Sequence, residues 1–117
     1  DFEIQLNNGW KSYELSSKSN LTIGAVSTLL RETLSLNNKI LSCNFFNHDA
    51  WNFPLDGICN LKDVSYSEFK KRVQEILSLS FNKYEEKLSK NISYLMNIDT
   101  NELTTKKLKN RISELIN

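Results

Sequence analysis

Ser19-Asn-Leu-Thr-Ile-Gly-Ala-Val-Ser-Thr-Leu-Leu-Arg-Glu-Thr-Leu-Ser-Leu-Asn-Asn-Lys-Ile-Leu41 is the stretch that decides the fold. Leu21-Thr-Ile23 reads as a short apolar strand, and Gly24-Ala-Val-Ser-Thr28 as a tight turn of small residues. Helical character then runs from about Ser27 to Leu36, with Leu29, Leu30, Thr33, Leu34 and Leu36 as its apolar side. Asn37-Asn38 ends the helix, and Lys39-Ile-Leu-Ser-Cys-Asn-Phe45 is a second apolar strand. A strand that hands over directly to a helix gathers unpaired backbone N–H groups and the positive end of the helix dipole at one point. That point is a ready site for a phosphate or another anion.

Upstream, Phe2, Ile4 and Leu6 alternate with Glu3 and Gln5, which predicts a strand with one buried face. Asn7-Asn-Gly9 ends it as a turn, and Ser12-Tyr-Glu-Leu-Ser-Ser17 forms a short helix. The order strand, helix, strand, helix, strand with short links predicts an α/β fold. Its core is a partial Rossmann-like parallel sheet of about three strands with right-handed crossover helices. A chain that opens without methionine and inside an alternating segment reads as a piece of a longer protein.

Downstream, Asn47-His-Asp-Ala-Trp-Asn-Phe-Pro-Leu-Asp-Gly57 is aromatic, polar and turn-rich, and reads as an ordered loop. Ile58-Cys-Asn-Leu61 adds one short extended piece. From residue 65 the chain is helical. Ser65-Tyr-Ser-Glu68 is a capping box, followed by an apolar stripe of Phe69, Val73, Ile76 and Leu77. Asn82-Lys-Tyr-Glu85 repeats the capping logic ahead of Tyr84, Leu88, Ile92, Leu95 and Met96. A third helix from about Thr104 carries Leu108, Ile112, Leu115 and Ile116. All three are expected to pack as ordinary amphipathic helices. Residues 1–61 are expected to form a partial Rossmann-like α/β lobe, and residues 62–117 the closing helical segment of the same domain.

Size and charge narrow the function. The chain has 117 residues, enough for one domain. Fifteen basic against fourteen acidic side chains give a net charge of +1, which excludes a whole-surface basic footprint for nucleic acid. Two cysteines, Cys43 and Cys59, fit a reducing cytosol with no disulfide framework. No apolar run reaches the roughly 18 residues of a membrane span. No stretch reads as basic enough to mark a membrane-surface helix. Asn20-Leu-Thr22 and Asn91-Ile-Ser93 match the glycosylation triplet, by chance in a cytosolic protein. The residue spacings show no metal site, no cofactor fingerprint and no catalytic acid or base.

Several side chains could serve the anion-friendly turn. Gly24 permits a close backbone approach or an unusual dihedral. Ser27 and Thr28 bring hydroxyls to the helix start, either as caps or as donors to a phosphate oxygen. Glu32, one turn beyond Thr28, either accepts hydrogen bonds from a ribose or serves the helix, as a first-turn acid or a partner of Arg31 or Lys39. Arg31 reads as a surface cation, solvated or paired. His48 and Asp49 lie past the carboxyl end of a strand, where open α/β sheets bind ligands. Trp51 and Phe53 read as packing anchors of that loop.

The run Ile23-Gly24-Ala-Val-Ser27-Thr28-Leu-Leu-Arg-Glu32, followed by Asn38-Lys39-Ile40-Leu41, resembles the carboxyl-terminal nucleotide-binding lobe of GT-B-fold glycosyltransferases. It is most similar to bacterial surface-carbohydrate and lipopolysaccharide biosynthesis proteins, in which a strand ending in glycine leads to a Ser-Thr dyad, an acid-bearing helix and a Lys-x-Leu strand. Phe53-Pro-Leu-Asp-Gly57, Tyr66-Ser-Glu-Phe69-Lys-Lys-Arg-Val73 and Ile76-Leu-Ser-Leu-Ser-Phe-Asn-Lys-Tyr84 resemble the closing helices of such lobes.

The resemblance implies a nucleotide-sugar donor, with Ser27 and Thr28 at its phosphates and Glu32 near its ribose. It implies a glycan acceptor and a catalytic base supplied by an amino-terminal lobe, so this chain by itself is expected to be inactive. The parent is expected in the cytoplasm, with membrane association at the inner face allowed. A nucleotide-sugar epimerase lobe or a non-catalytic protein-interaction module are the alternatives.

Overall fold

The computed structural model describes residues 3–4, 10–96 and 101–116, and its centre is a parallel sheet. Helix α1 spans Lys11–Lys18, strand β1 Thr22–Gly24, helix α2 Thr28–Ser35 and strand β2 Ile40–Asn44. A loop with a 3₁₀ turn at Asp49–Trp51 leads to β3, Asn60–Lys62. Helices α3 (Tyr66–Ser78) and α4 (Phe81–Glu86), a 3₁₀ turn at Ile92–Tyr94 and helix α5 (Thr104–Ile116) complete the described residues. The three strands lie side by side in sequence order, each pair parallel, with Gly24 opposite Ser42 and Cys43 opposite Leu61. The α/β class and the three-stranded parallel sheet are those the sequence predicts. The strand expected over residues 2–6 lies largely outside the described residues; of these, Glu3 and Ile4 have no regular structure, and Ile4 is 91% exposed.

Local chemistry explains where α2 starts and stops. Ser27 has extended backbone angles, and its Oγ accepts from the Leu29 N–H at 3.2 Å. At the other end Asn37 takes φ +63, the left-handed conformation that asparagine tolerates. The Asn37 N–H then donates to Leu34 O and the Asn38 N–H to Thr33 O, the paired bonds of a Schellman stop. Leu30 and Leu34 of α2 are buried against the sheet, with Ile40 and Leu41 of β2. Every residue of β2 is buried, as expected of a central parallel strand covered on both faces.

Strand β3 is short, and a side chain completes its ladder. The Ser42 N–H donates to Cys59 O and the Asp63 N–H to Asn44 O, so alternate residues of β2 bond toward β3. Ile40 is next in that series, beyond the reach of β3. The Tyr84 hydroxyl takes the place of the missing strand, donating to Ile40 O at 2.7 Å and accepting from the Ile40 N–H at 3.2 Å. Lys39 reaches the end of α3, its Nζ donating to Ile76 O and Leu79 O at 2.8 and 2.7 Å. A cation is favourable at a helix carboxyl end. Through Ile76, Tyr84 and Ile92 the closing helical segment shares one core with the sheet.

Two expectations for this segment are corrected. The Ser65–Glu68 capping box is present, but α4 is capped by Ser80, whose Oγ accepts from the Lys83 N–H, and not by Asn82. The helix also stops at Glu86 instead of running toward Met96. Its end is recruited by the loop before β3: the Ile58 N–H donates to Lys87 O and the Ser89 N–H to Asp56 O. These long-range bonds replace the next helical turn. The second correction concerns α5, which buries none of its side chains.

Both cysteines are free thiols and buried. Burial pushes the Cys59 thiol up from its ordinary 9.0 to about 12, and raises the Tyr84 hydroxyl above its ordinary 10.0. The unfolded chain therefore releases these protons first. This contribution to stability is fully present below pH 9.0 and is lost as the pH climbs toward 12. Urea unfolding midpoints should fall across that window, and less steeply in a Cys59→Ala chain. A flat profile in the parent chain would contradict the burial-driven shift.

Candidate functional site

Strand alternation puts Thr22 and Gly24 of β1 on the same face as Ile40, Ser42 and Asn44 of β2. A Cβ placed on Gly24 would meet Leu30 of α2, so this is the face that α2 covers. At its carboxyl end a cleft of about 120 Å³ opens. Val26, Ser27, Thr28 and Arg31 form one wall, Ala50 to Pro54 the other, and Ser42 lies between.

The α2 wall is the turn singled out by the sequence. Ser27 Oγ accepts from the Leu29 N–H, which leaves its own proton to donate elsewhere, so capping and ligand binding are compatible. Thr28 stands beside it in the first turn, where backbone N–H groups lack helical acceptors. Val26, directly before the cap, has φ +43. A β-branched residue there is strained, a condition that concentrates at ligand-holding turns.

Ser42 adds a feature the sequence reading missed. It is 1% exposed, and its Oγ makes no hydrogen bond among the described residues. Among the described residues Thr22, Thr33, Ser35 and Asn60 also hold buried oxygens without partners, but none of those four lines the cleft, as Ser42 does. A buried hydroxyl without a partner is costly, and a ligand oxygen reaching it would remove that cost. The signal was present in the sequence: Ser42 and Asn44 are polar residues at alternate positions of an otherwise apolar strand.

The opposite wall is held in place by Asn44. Its Nδ2 donates to His48 O at 2.9 Å and to Asn52 Oδ1 at 2.7 Å, and its Oδ1 accepts from the Phe46 N–H. Trp51, 44% exposed, lines the cleft and meets Phe46 with ring centroids 5.6 Å apart.

The remaining predicted residues stand apart from the cleft. His48 caps the 3₁₀ turn, its Nδ1 accepting from the Ala50 N–H at 3.0 Å. Asp49 pairs with Lys62, which holds its carboxyl below the usual range. Neither lines the cleft, and the loop contributes through the residues that follow them. Glu32 faces a separate groove between α1 and α2, with Tyr13 and Asn38. There its carboxylate lies near the Tyr13 hydroxyl, and its charge and hydrogen-bonding capacity hold the tyrosine above its ordinary value. Lys39, an expected partner of Glu32, is at the end of α3 instead. Gly24 needs no unusual dihedral: its φ is not positive, and a Cβ would meet Leu30 side-chain atoms at ordinary contact distances of 3.6–3.8 Å.

Among the described residues no cluster of His, Cys, Asp or Glu is arranged to hold a metal ion, and no helix is long and apolar enough to cross a membrane. No protein-family model, curated protein or solved structure matches this chain.

Proposed function

We propose that the cleft binds the phosphate groups of a nucleotide-sugar, and that the chain is the donor-binding lobe of a glycosyltransferase acting on a bacterial surface glycan. The observation that carries this reading is the unpartnered, buried Ser42 hydroxyl in a cleft already furnished with a helix N-terminus. Ser27 and Thr28 donate to the phosphate oxygens, and Arg31 supplies positive charge. The small volume suits phosphoryl groups, with the nucleoside lying across the rim toward Trp51. Catalysis in the parent would rest on holding the donor and stabilising the charge that develops on the leaving phosphate. The acceptor and the catalytic base belong to an amino-terminal lobe of a cytoplasmic parent.

The test is a titration of isotope-labelled chain with UDP, CDP, GDP, ADP and CMP, followed by backbone amide shifts. Shifts should cluster at residues 24–32 and around Ser42, with one base preferred. A Ser42→Ala chain should bind roughly tenfold more weakly, the worth of one hydrogen bond to a charged group. Its unfolding midpoint should hold or rise, because the substitution removes an unpartnered buried hydroxyl. Shifts that leave the cleft untouched, or affinity indifferent to Ser42→Ala, would count against the assignment.

A further inference from the structure

We propose that the exposed face of α5 is a docking surface for an anionic lipid membrane. The proposal stands on α5 alone and does not depend on the cleft. Helical geometry places Leu108, Ile112, Leu115 and Ile116 on one stripe. All four are exposed, from 47% at Ile112 to 78% at Ile116.

The sequence marks no stretch as basic enough for a membrane surface on charge alone; what changes the weighing for α5 is that its apolar stripe is left uncovered beside the chain's positive excess. Residues 104–116 carry four basic side chains (Lys106, Lys107, Lys109 and Arg111) against one carboxylate, Glu114. The remaining residues carry eleven basic and thirteen acidic groups, so the positive excess of the whole chain resides in this helix. Glu114 accepts from Arg111 Nη1 at 3.0 Å, an exposed pair that leaves the helix a net three positive charges.

The arrangement favours a flat anionic partner. Lys109 and Arg111 flank the apolar stripe on opposite sides, each about 80° from its midline by helical geometry. A planar surface meets both flanks at once while the aliphatic side chains enter its apolar layer, and the long basic stems extend to the headgroups. A second copy of the chain is disfavoured. Two such helices would repel, and four apolar side chains do not supply the roughly 800 Å² per partner of a stable interface.

The experiment is co-sedimentation of the full chain with phosphatidylcholine vesicles, with and without phosphatidylglycerol. Because α5 buries nothing, its variants should fold, which an unchanged unfolding midpoint verifies. Binding is expected with phosphatidylglycerol vesicles and not with phosphatidylcholine alone, and it should weaken with salt. A Lys109→Gln/Arg111→Gln chain should bind roughly tenfold or more weakly, as should Leu108→Ser/Ile112→Ser. No binding to phosphatidylglycerol vesicles would overturn the proposal. So would binding that neither variant weakens, self-association through α5, or capture of an acidic polypeptide such as polyglutamate without vesicle binding.

Discussion

Gly57→Ala should destabilise the domain by about 3 kcal/mol, a large share of the roughly 5–15 kcal/mol that holds a domain folded. Gly57 has φ +99, and a Cβ there would stand 2.3 Å from the Lys87 carbonyl oxygen, a backbone atom. Alanine in a left-handed conformation costs about 1–2 kcal/mol before any clash is counted. Relieving the clash then requires the end of α4 to move away. That movement strains the Ile58 N–H bond to Lys87 O and the Ser89 N–H bond to Asp56 O, each worth about 1 kcal/mol. Arg72 ties the same turn from another side, its Nη1 donating to Gly57 O, Ile58 O and Asn60 O. The damage would also reach the cleft, because Phe53 and Pro54 of its loop wall lead directly into this turn.

Gly24→Ala is the control, since its Cβ meets only Leu30 side-chain atoms at ordinary distances; it should change stability by no more than about 0.5 kcal/mol. Urea unfolding of both chains measures the contrast. Equal effects would mean that the turn at Gly57 does not clamp α4.

That contrast also shows which features of the sequence were legible. Both glycines read as turn residues, yet only the one facing a distant carbonyl is constrained. Features written within a few residues were readable: the Ser65–Glu68 box, the Asn37-Asn38 stop and the Ser27 cap all form from neighbours along the chain. Features that depend on residues far apart were not. The early end of α4 is set by residues 56–58, some thirty positions away, which no local pattern in α4 reveals.

The candidate site divides in the same way. Ser27 and Thr28 were legible because a helix start is local. Ser42 left only a partial trace, a polar residue in an apolar strand, because its lack of a partner is a property of the packed sheet. Glu32 follows Thr28 by one turn, but α1 packs there and Tyr13 engages it. Arg31, three residues after Thr28, falls on the cleft side instead.

Arg31→Glu should weaken nucleoside diphosphate binding roughly a hundredfold, the largest effect expected of any single cleft residue. Among the described residues lining the cleft, Arg31 alone carries charge. The reversal changes the local charge by two units. At about 5 Å, each unit interacts with one ligand charge by about 0.8 kcal/mol in a water-like medium, and by more where water is displaced. Against a diphosphate the change sums to about 3 kcal/mol, close to a hundredfold in affinity.

Arg31→Lys should fall in between, keeping the charge and losing the fork that grips two oxygens. Folding stability should hardly move in either chain, since Arg31 is an exposed side chain. Calorimetric titration with UDP at two salt concentrations gives the measurement, and the deficit should shrink at the higher one because salt screens the exposed charge. Combining Arg31→Glu with Ser42→Ala carries the argument one step further. If both groups hold the same phosphate, their effects on affinity should couple; strict additivity would place them on different parts of the ligand. An Arg31→Glu chain that binds UDP as tightly as its parent would remove the cleft from consideration as an anion site.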